Sequence, residues 1–191
     1  MKYAKHVLAA LLILGLFACA KPPQAEIDAA KAAVAKAAAN SDVVTYGPEA
    51  LAKAQDALSR MQTELTAKHY DKVKTLALEA SAAAEKAISE ALANKEKVKA
   101  DAAALIAAMK KALPEAEKTI AAAKRIPRTG LDFSALAKAL AGAKTSLAAA
   151  EADQANGNFM AAWNKASAVQ TSLADGERTV TNAVQAATKK K

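Results

Sequence analysis

Alanine is the feature that most constrains the fold of this chain. It supplies 56 of the 191 residues, and it is the residue with the highest intrinsic helix propensity. Glycine and proline are scarce, at 6 and 5 residues, and no convincing run of alternating β-branched residues occurs. We therefore expect an all-α protein, an elongated helical bundle whose helices pack through small side chains and bury little apolar surface per residue.

The spacing of the larger apolar side chains predicts the helices. They are expected at 23–40, 48–67 and 70–113, in a short segment from 114 to about 125, around Leu136 to Leu147, and at 159–184. Pro114 is expected to break or kink the third helix, because proline lacks the amide hydrogen. The predicted inward-facing residues of the second helix recur at spacings of three and four, which favours long antiparallel packing: Leu51, Ala54, Leu58, Met61 and Leu65.

An internal duplication is predicted from two matched helix starts and two matched turns. The run ALAKA begins at Ala50 and again at Ala135. Gly47 with Pro48, and Asp132 in the second copy, are the expected N-caps. Tyr70 and Phe159 each follow a tight turn, for which Gly157 supplies a left-handed residue. The prediction is two similar three-helix repeats, at 23–113 and 114–188, followed by a basic tail at 189–191.

The N-terminal residues have the pattern of a secretory signal over 1–18. Two lysines precede an apolar stretch of ten residues, Val7 to Leu16, and ten helical residues reach only about 15 Å, half the thickness of a membrane core. Leu16-Phe17-Ala18-Cys19 resembles the lipobox of bacterial lipoproteins. This resemblance implies cleavage before Cys19, its acylation, a lipidated linker over 19–22 and, because Ala20 is not Asp, the outer membrane. The alternative is an incidental thiol beside an ordinary cleavage site.

A second resemblance concerns the helical part. Tyr46-Gly47-Pro48-Glu49, the Leu/Ala helix after it, and Tyr70-Asp71 before alanines spaced at Ala77, Ala80 and Ala84 resemble the Ala-rich helical lipoproteins classed as a domain of unknown function. The resemblance covers about 22–93 and the second repeat only loosely. It implies the fold and says almost nothing about function.

The charge pattern disfavours a nucleic-acid-binding protein. Two of the 27 basic residues and none of the 19 acids lie in 1–18, so 25 bases against 19 acids leave a formal net charge of +6. The signs alternate along the chain, and no block of five like charges occurs. Together with the export signal, this pattern predicts no nucleic-acid partner.

Residues for catalysis or for a metal site are scarce. His69 is the only histidine after the signal, and it is expected to act as a turn residue. The acids Glu115 and Glu117 are two residues apart and diverge on a helix, as do Glu151 and Asp153. We therefore predict no enzyme activity, no cofactor and no His/Cys metal site.

Two further features carry alternatives. Phe159 and Trp163 either line a ligand groove or fill the core at the closed end of a hairpin. The basic loop Arg125-Ile126-Pro127-Arg128 is either solvated or a contact for anionic headgroups or glycans.

Lys191 carries the last sequence-based hypothesis. Small helical outer-membrane lipoproteins of the murein-lipoprotein type end in a lysine that is linked to peptidoglycan, and this chain resembles them in ending with Lys191. A solvated helix end that complements the helix dipole is the alternative, and electrostatic contact with anionic envelope polymers is another.

The functional prediction is a non-catalytic, periplasm-facing outer-membrane lipoprotein that acts as a structural or protein-interaction module of the cell envelope. Its expected partners are the membrane, through the lipid, and envelope proteins or peptidoglycan. The alternative is a ligand-binding or transport-accessory lipoprotein with a groove between the repeats.

Overall fold

The computed structural model describes residues 21–189, which form six α-helices and no strand. We number the helices in chain order: α1 Gln24–Ala39, α2 Ser41–Tyr46, α3 Pro48–Thr66, α4 Tyr70–Ala123, α5 Phe133–Ala155 and α6 Phe159–Lys189. The all-α prediction is confirmed. Cys19 and Lys191, the predicted attachment residues, lie outside the described residues, as does the predicted signal at 1–18.

The helix starts follow the predicted capping chemistry. Gly47 is the N-cap of α3 with Pro48 in its first turn. Asp132 is the N-cap of α5, and its carboxylate accepts hydrogen bonds from the amides of Ser134 and Ala135, both at 2.9 Å. The short helix α2 is not among the predicted helices. Its N-cap is Asn40, whose side chain accepts a hydrogen bond from the Asp42 amide at 2.9 Å. This local hydrogen bond separates the short helix from α1.

The predicted break at Pro114 is wrong, because α4 runs without interruption from Tyr70 to Ala123. A proline inside a helix removes one hydrogen bond and costs about 3 kcal/mol. Pro114 is itself exposed, whereas Leu113 before it and Ala123 beyond it are buried, at 5% and 2% exposure. Burial on both sides of the proline offsets the lost hydrogen bond, and the helix continues.

The contacts divide the chain into two compact units that meet inside α4, at Leu92 and Ala93. The sequence-based division falls later, at 113/114, because it takes Pro114 as the end of a helix. Residues of α4 between these two points, such as Ile106 and Met109, pack with Leu147 in the core of the second unit.

The core of the first unit combines a few large side chains with many alanines. Ile27, Val43, Met61 and Val73 are almost completely buried. Gly47, at the start of α3, lies against α4: a Cβ placed on it would come within 3.2 Å of the Ala87 carbonyl oxygen and 3.3 Å of the Ala91 Cβ. Close backbone approach therefore favours a glycine in the Tyr-Gly-Pro-Glu sequence.

The core of the second unit is formed by α5, α6 and the C-terminal part of α4. Its buried residues follow spacings of three and four along each helix: Ala102, Ile106, Met109 and Leu113 on α4, Ala143, Leu147 and Ala150 on α5, and Ala162, Ala166 and Val169 on α6. On α6 this stripe passes through Ala162, so the neighbouring Trp163 is displaced from the core.

Candidate functional site

A cleft in the second unit is more enclosed than two shallow surface pockets of the first unit, one around Arg60 and Leu76 and the other around Glu49 and Ala83. It has a volume of about 160 Å³ and lies between α4, α5 and α6. Its walls are mainly apolar, with Glu115, Thr119, Ser172 and Glu177 as the polar lining side chains. The apolar lining residues are Ala112, Ala116, Ile120, Leu136, Ala139, Leu140, Leu173 and Val180. We call this pocket the second-unit cleft.

Missing side-chain volume explains why the cleft is open. The inward stripe of α6 continues from Val169 and Leu173 through Gly176 to Val180. A Cβ on Gly176 would meet no atom within 4 Å. The corresponding stripe of α4 has Ala116 in the lining. Small residues on α4 and α6 therefore leave part of the space between the three helices unfilled.

The charges at the cleft are unevenly compensated. Glu115 accepts from Lys118 Nζ at 2.7 Å, one helical turn along α4. Glu177, on α6, is exposed and makes no ion pair with any residue in the described range 21–189. The apolar walls thus carry one carboxylate, that of Glu177, without a cationic partner among residues 21–189.

The two aromatic residues predicted for a groove lie elsewhere. Phe159 is half-buried, and Lys99 Nζ lies 5.7 Å from the centre of its ring. Trp163 is 39% exposed, so the expectation that it fills the core is wrong. Neither residue lines the second-unit cleft. Both residues lie at the start of α6, directly after the turn that follows α5.

The turn before α4 places one carboxylate, Glu64, beside two basic side chains. His69 Nδ1 donates to Glu64 Oε2 at 2.6 Å, and Lys72 Nζ lies 3.6 Å from Glu64 Oε1. The hydrogen bond from His69, assisted by Lys72, lowers the pKa of Glu64. His69 also donates its backbone amide to the Glu64 carbonyl, at 3.0 Å, so its prediction as a turn residue is confirmed.

Other predicted features are placed as follows. In the basic loop after α4, Arg125, Pro127 and Arg128 are exposed, and Arg128 has a left-handed φ of 63°. Within 21–189, no group of three His, Cys, Asp or Glu side chains is arranged to hold a metal ion. None of the described helices is both long and apolar enough to span a membrane.

The cleft was missed by sequence reasoning, which looked for aromatic residues. The available signal was Gly176, a glycine at an inward-facing position in the middle of the 31-residue helix α6. Glycine is unfavourable there, so an inward glycine indicates either close approach or an unfilled space.

Comparison with protein families finds a match for the N-terminal part of the described residues. Residues 25–105 match the family described as Domain of unknown function (DUF4398). The match covers α1 to α3 and the first part of α4, nearly the same stretch as the resemblance noted in the sequence. The search of curated proteins and the search of solved structures each give no match.

Proposed function

We propose that this protein is a non-catalytic lipoprotein of the bacterial outer membrane, held by acylated Cys19, whose helices face the periplasm as an interaction module of the cell envelope. The observation that carries the proposal is Leu16-Phe17-Ala18-Cys19 directly after a ten-residue apolar stretch. Several acyl chains, each stabilised by about 0.8 kcal/mol per buried methylene, hold a protein firmly on a bilayer. The match to a domain of unknown function is compatible with this role and does not define it.

We further infer that the helices form two similar three-helix repeats. The two turns supply the support. After α3, Lys68 has φ 59°, its amide donates to the Leu65 carbonyl, and the His69 amide donates to the Glu64 carbonyl. After α5, the same pattern joins Gly157 (φ 80°) to Gln154 and Asn158 to Asp153.

Helix lengths support the same inference. The N-caps Gly47 and Asp132 have matching places before α3 and α5, which have 19 and 23 residues. The four additional residues make about one helical turn, which keeps the same face of the helix directed inward.

The surface charges disfavour a role in nucleic-acid binding. Lysine and glutamate side chains pair across neighbouring helices, as in Lys110 with Glu151 at 2.7 Å and Lys74 with Glu26 at 3.4 Å. Paired charges of alternating sign do not form the continuous basic surface that binds a phosphate backbone.

The experiment is fractionation of the native host's membranes together with mass spectrometry of the mature N-terminus. The wild type should carry a diacylglyceryl group on Cys19 and sediment with the outer membrane, whereas Cys19→Ala should leave the membrane fraction. Phe17→Ala is the matched control and should stay anchored. Ala20→Asp should move the protein to the inner membrane. A wild-type N-terminus after Cys19 that carries no lipid contradicts the proposal.

A second candidate function, ligand binding, is favoured by the second-unit cleft. The sequence-based alternative placed a groove between the repeats, at Phe159 and Trp163. The cleft instead lies almost wholly within the second predicted repeat, where α4, α5 and α6 enclose about 160 Å³. An apolar pocket with a few polar groups is the usual form of a small-molecule site.

A further inference from the structure

We propose that the second-unit cleft binds a small amphiphilic amine, an apolar group of about six to eight carbons that carries a primary ammonium. The proposal rests on the ligand-binding candidate above and names its ligand class. It is independent of the lipid anchor.

The volume sets the size of the apolar group. A cavity of about 150 Å³ lined by aliphatic side chains accommodates one benzene molecule, and the cleft holds about 160 Å³. Ile120, Leu136 and Leu173 supply aliphatic walls of that kind. One ring or one short branched chain therefore fills the available space.

The carboxylates set the charge of the ligand. Glu115 is already paired with Lys118, whereas Glu177 makes no ion pair with a described residue. An ammonium group beside Glu177 gains Coulomb energy, and an anionic group in the same place loses it. Because Glu177 is solvent-exposed, the preference is modest and depends on salt.

The opening of the cleft sets the arrangement of the ligand. The pocket is partly open to solvent, and its polar lining residues Thr119, Ser172 and Glu177 accompany the aliphatic ones. A ligand with a charged end keeps that end hydrated while its apolar end replaces water in the cleft.

The test is NMR titration of the ¹⁵N-labelled chain from residue 19 onward with Cys19→Ser, which contains all described residues of both units. The probes are 2-phenylethylamine, the neutral 2-phenylethanol and the anionic 3-phenylpropionate, three molecules of similar size. The amine should shift the amides of Gly176 and Ala116 with a Kd of about 0.1–1 mM. It should bind roughly three- to fivefold more tightly than the alcohol at low salt, and the anion should bind most weakly.

Variants locate the site. Gly176→Leu introduces side-chain volume where a Cβ meets no atom within 4 Å, and it should weaken amine binding at least about tenfold. Ala116→Leu, on α4, is a second filling variant should the first fail to fold. Gly142→Leu is the matched control, because Gly142 is an exposed helical glycine outside the cleft, and it should bind as the parent does.

Glu177→Gln separates charge from shape. It should abolish the preference for the amine over the alcohol, whereas Glu90→Gln, in the first unit, should leave that preference unchanged. Equal affinity for all three probes overturns the amine assignment and leaves the cleft as a ligand site. Absence of any shift at Gly176, or equal loss of binding in Gly142→Leu, overturns both the assignment and the ligand-binding function.

Discussion

The starts of α3 and α5 show two ways of beginning a helix at corresponding places in the chain. At Gly47 the chain uses proline in the first turn and lies so close to Ala87 and Ala91 that a Cβ would be 3.2 Å and 3.3 Å from their nearest atoms. At Asp132 it uses a carboxylate that accepts two backbone amides, and the helix that follows lines an open cleft. Helix starts at corresponding places therefore precede a closely packed core in one unit and a partly unfilled core in the other. The difference comes from the side chains on the facing helices, which cannot be read from the capping residues.

The largest expected effect tests whether side chains pack more tightly in the core of the first unit than around the second-unit cleft. Met61 is completely buried, so Met61→Ala should destabilise the first unit by about 3 kcal/mol. Leu136, at the edge of the cleft, is only half-buried, and Leu136→Ala should cost about 1 kcal/mol or less. Urea unfolding measures the loss of stability in both variants. It is monitored by circular dichroism and by the fluorescence of Trp163, the one tryptophan, which lies in the second unit. Equal losses of stability in the two variants would show that the two regions are packed equally well.

The next effect tests the close approach at Gly47. Gly47→Ala places a methyl group 3.2 Å from the Ala87 carbonyl oxygen and should cost about 1–2 kcal/mol, as overpacking does. Gly142→Ala makes the same change in an open helical position and should stabilise by about 0.5–1 kcal/mol. Thermal unfolding of the two variants should therefore shift in opposite directions. A Gly47→Ala protein that is more stable than the wild type would show that α4 can shift to admit the methyl group without a loss of stability.

A smaller effect tests the equivalence of the two turns. Lys68 holds a left-handed conformation that glycine adopts without strain. Lys68→Gly should stabilise the chain by about 0.5–1 kcal/mol, and Gly157→Lys should destabilise it by a similar amount. Lys53→Gly, at an exposed site within α3, is the control and should destabilise by about 1 kcal/mol. If Lys68→Gly destabilised the chain as Lys53→Gly does, Lys68 would not be left-handed in solution, and the two turns would not be equivalent.

The smallest effect is the pH dependence of the first turn. The pKa of Glu64 is lowered, first by the hydrogen bond from His69 and then by Lys72. The unfolded chain therefore binds more protons at acid pH, and the stabilisation by Glu64, complete above about pH 4.5, is lost as the pH falls further. Carboxyl ¹³C titration should give Glu64 a midpoint below 4.5. His69→Asn, which imitates the second turn, should raise that midpoint, and an unchanged midpoint would assign the shift to another cause.

Local signals predicted much of the fold. Proline after Gly47, the carboxylate of Asp132, and the turns before Tyr70 and Phe159 each act over a few residues, so the sequence alone places them. The continuity of α4 through Pro114 depends on burial of Leu113 and Ala123, which is a tertiary effect. The second-unit cleft depends on three segments far apart in sequence whose small residues coincide, and aromatic residues were therefore a poor guide to it.

The alanine cores have a thermodynamic consequence. An alanine side chain has no rotamers to lose on folding, and residues such as Ala80, Ala84, Ala87 and Ala91 are completely buried. Each contributes little apolar surface, and apolar surface is the source of the positive heat-capacity change on unfolding. Calorimetry should therefore give a heat-capacity change below the usual value of about 12–15 cal/mol/K per residue. The stability of such a chain varies gently with temperature, and cooling weakens it less than it weakens a leucine-rich bundle.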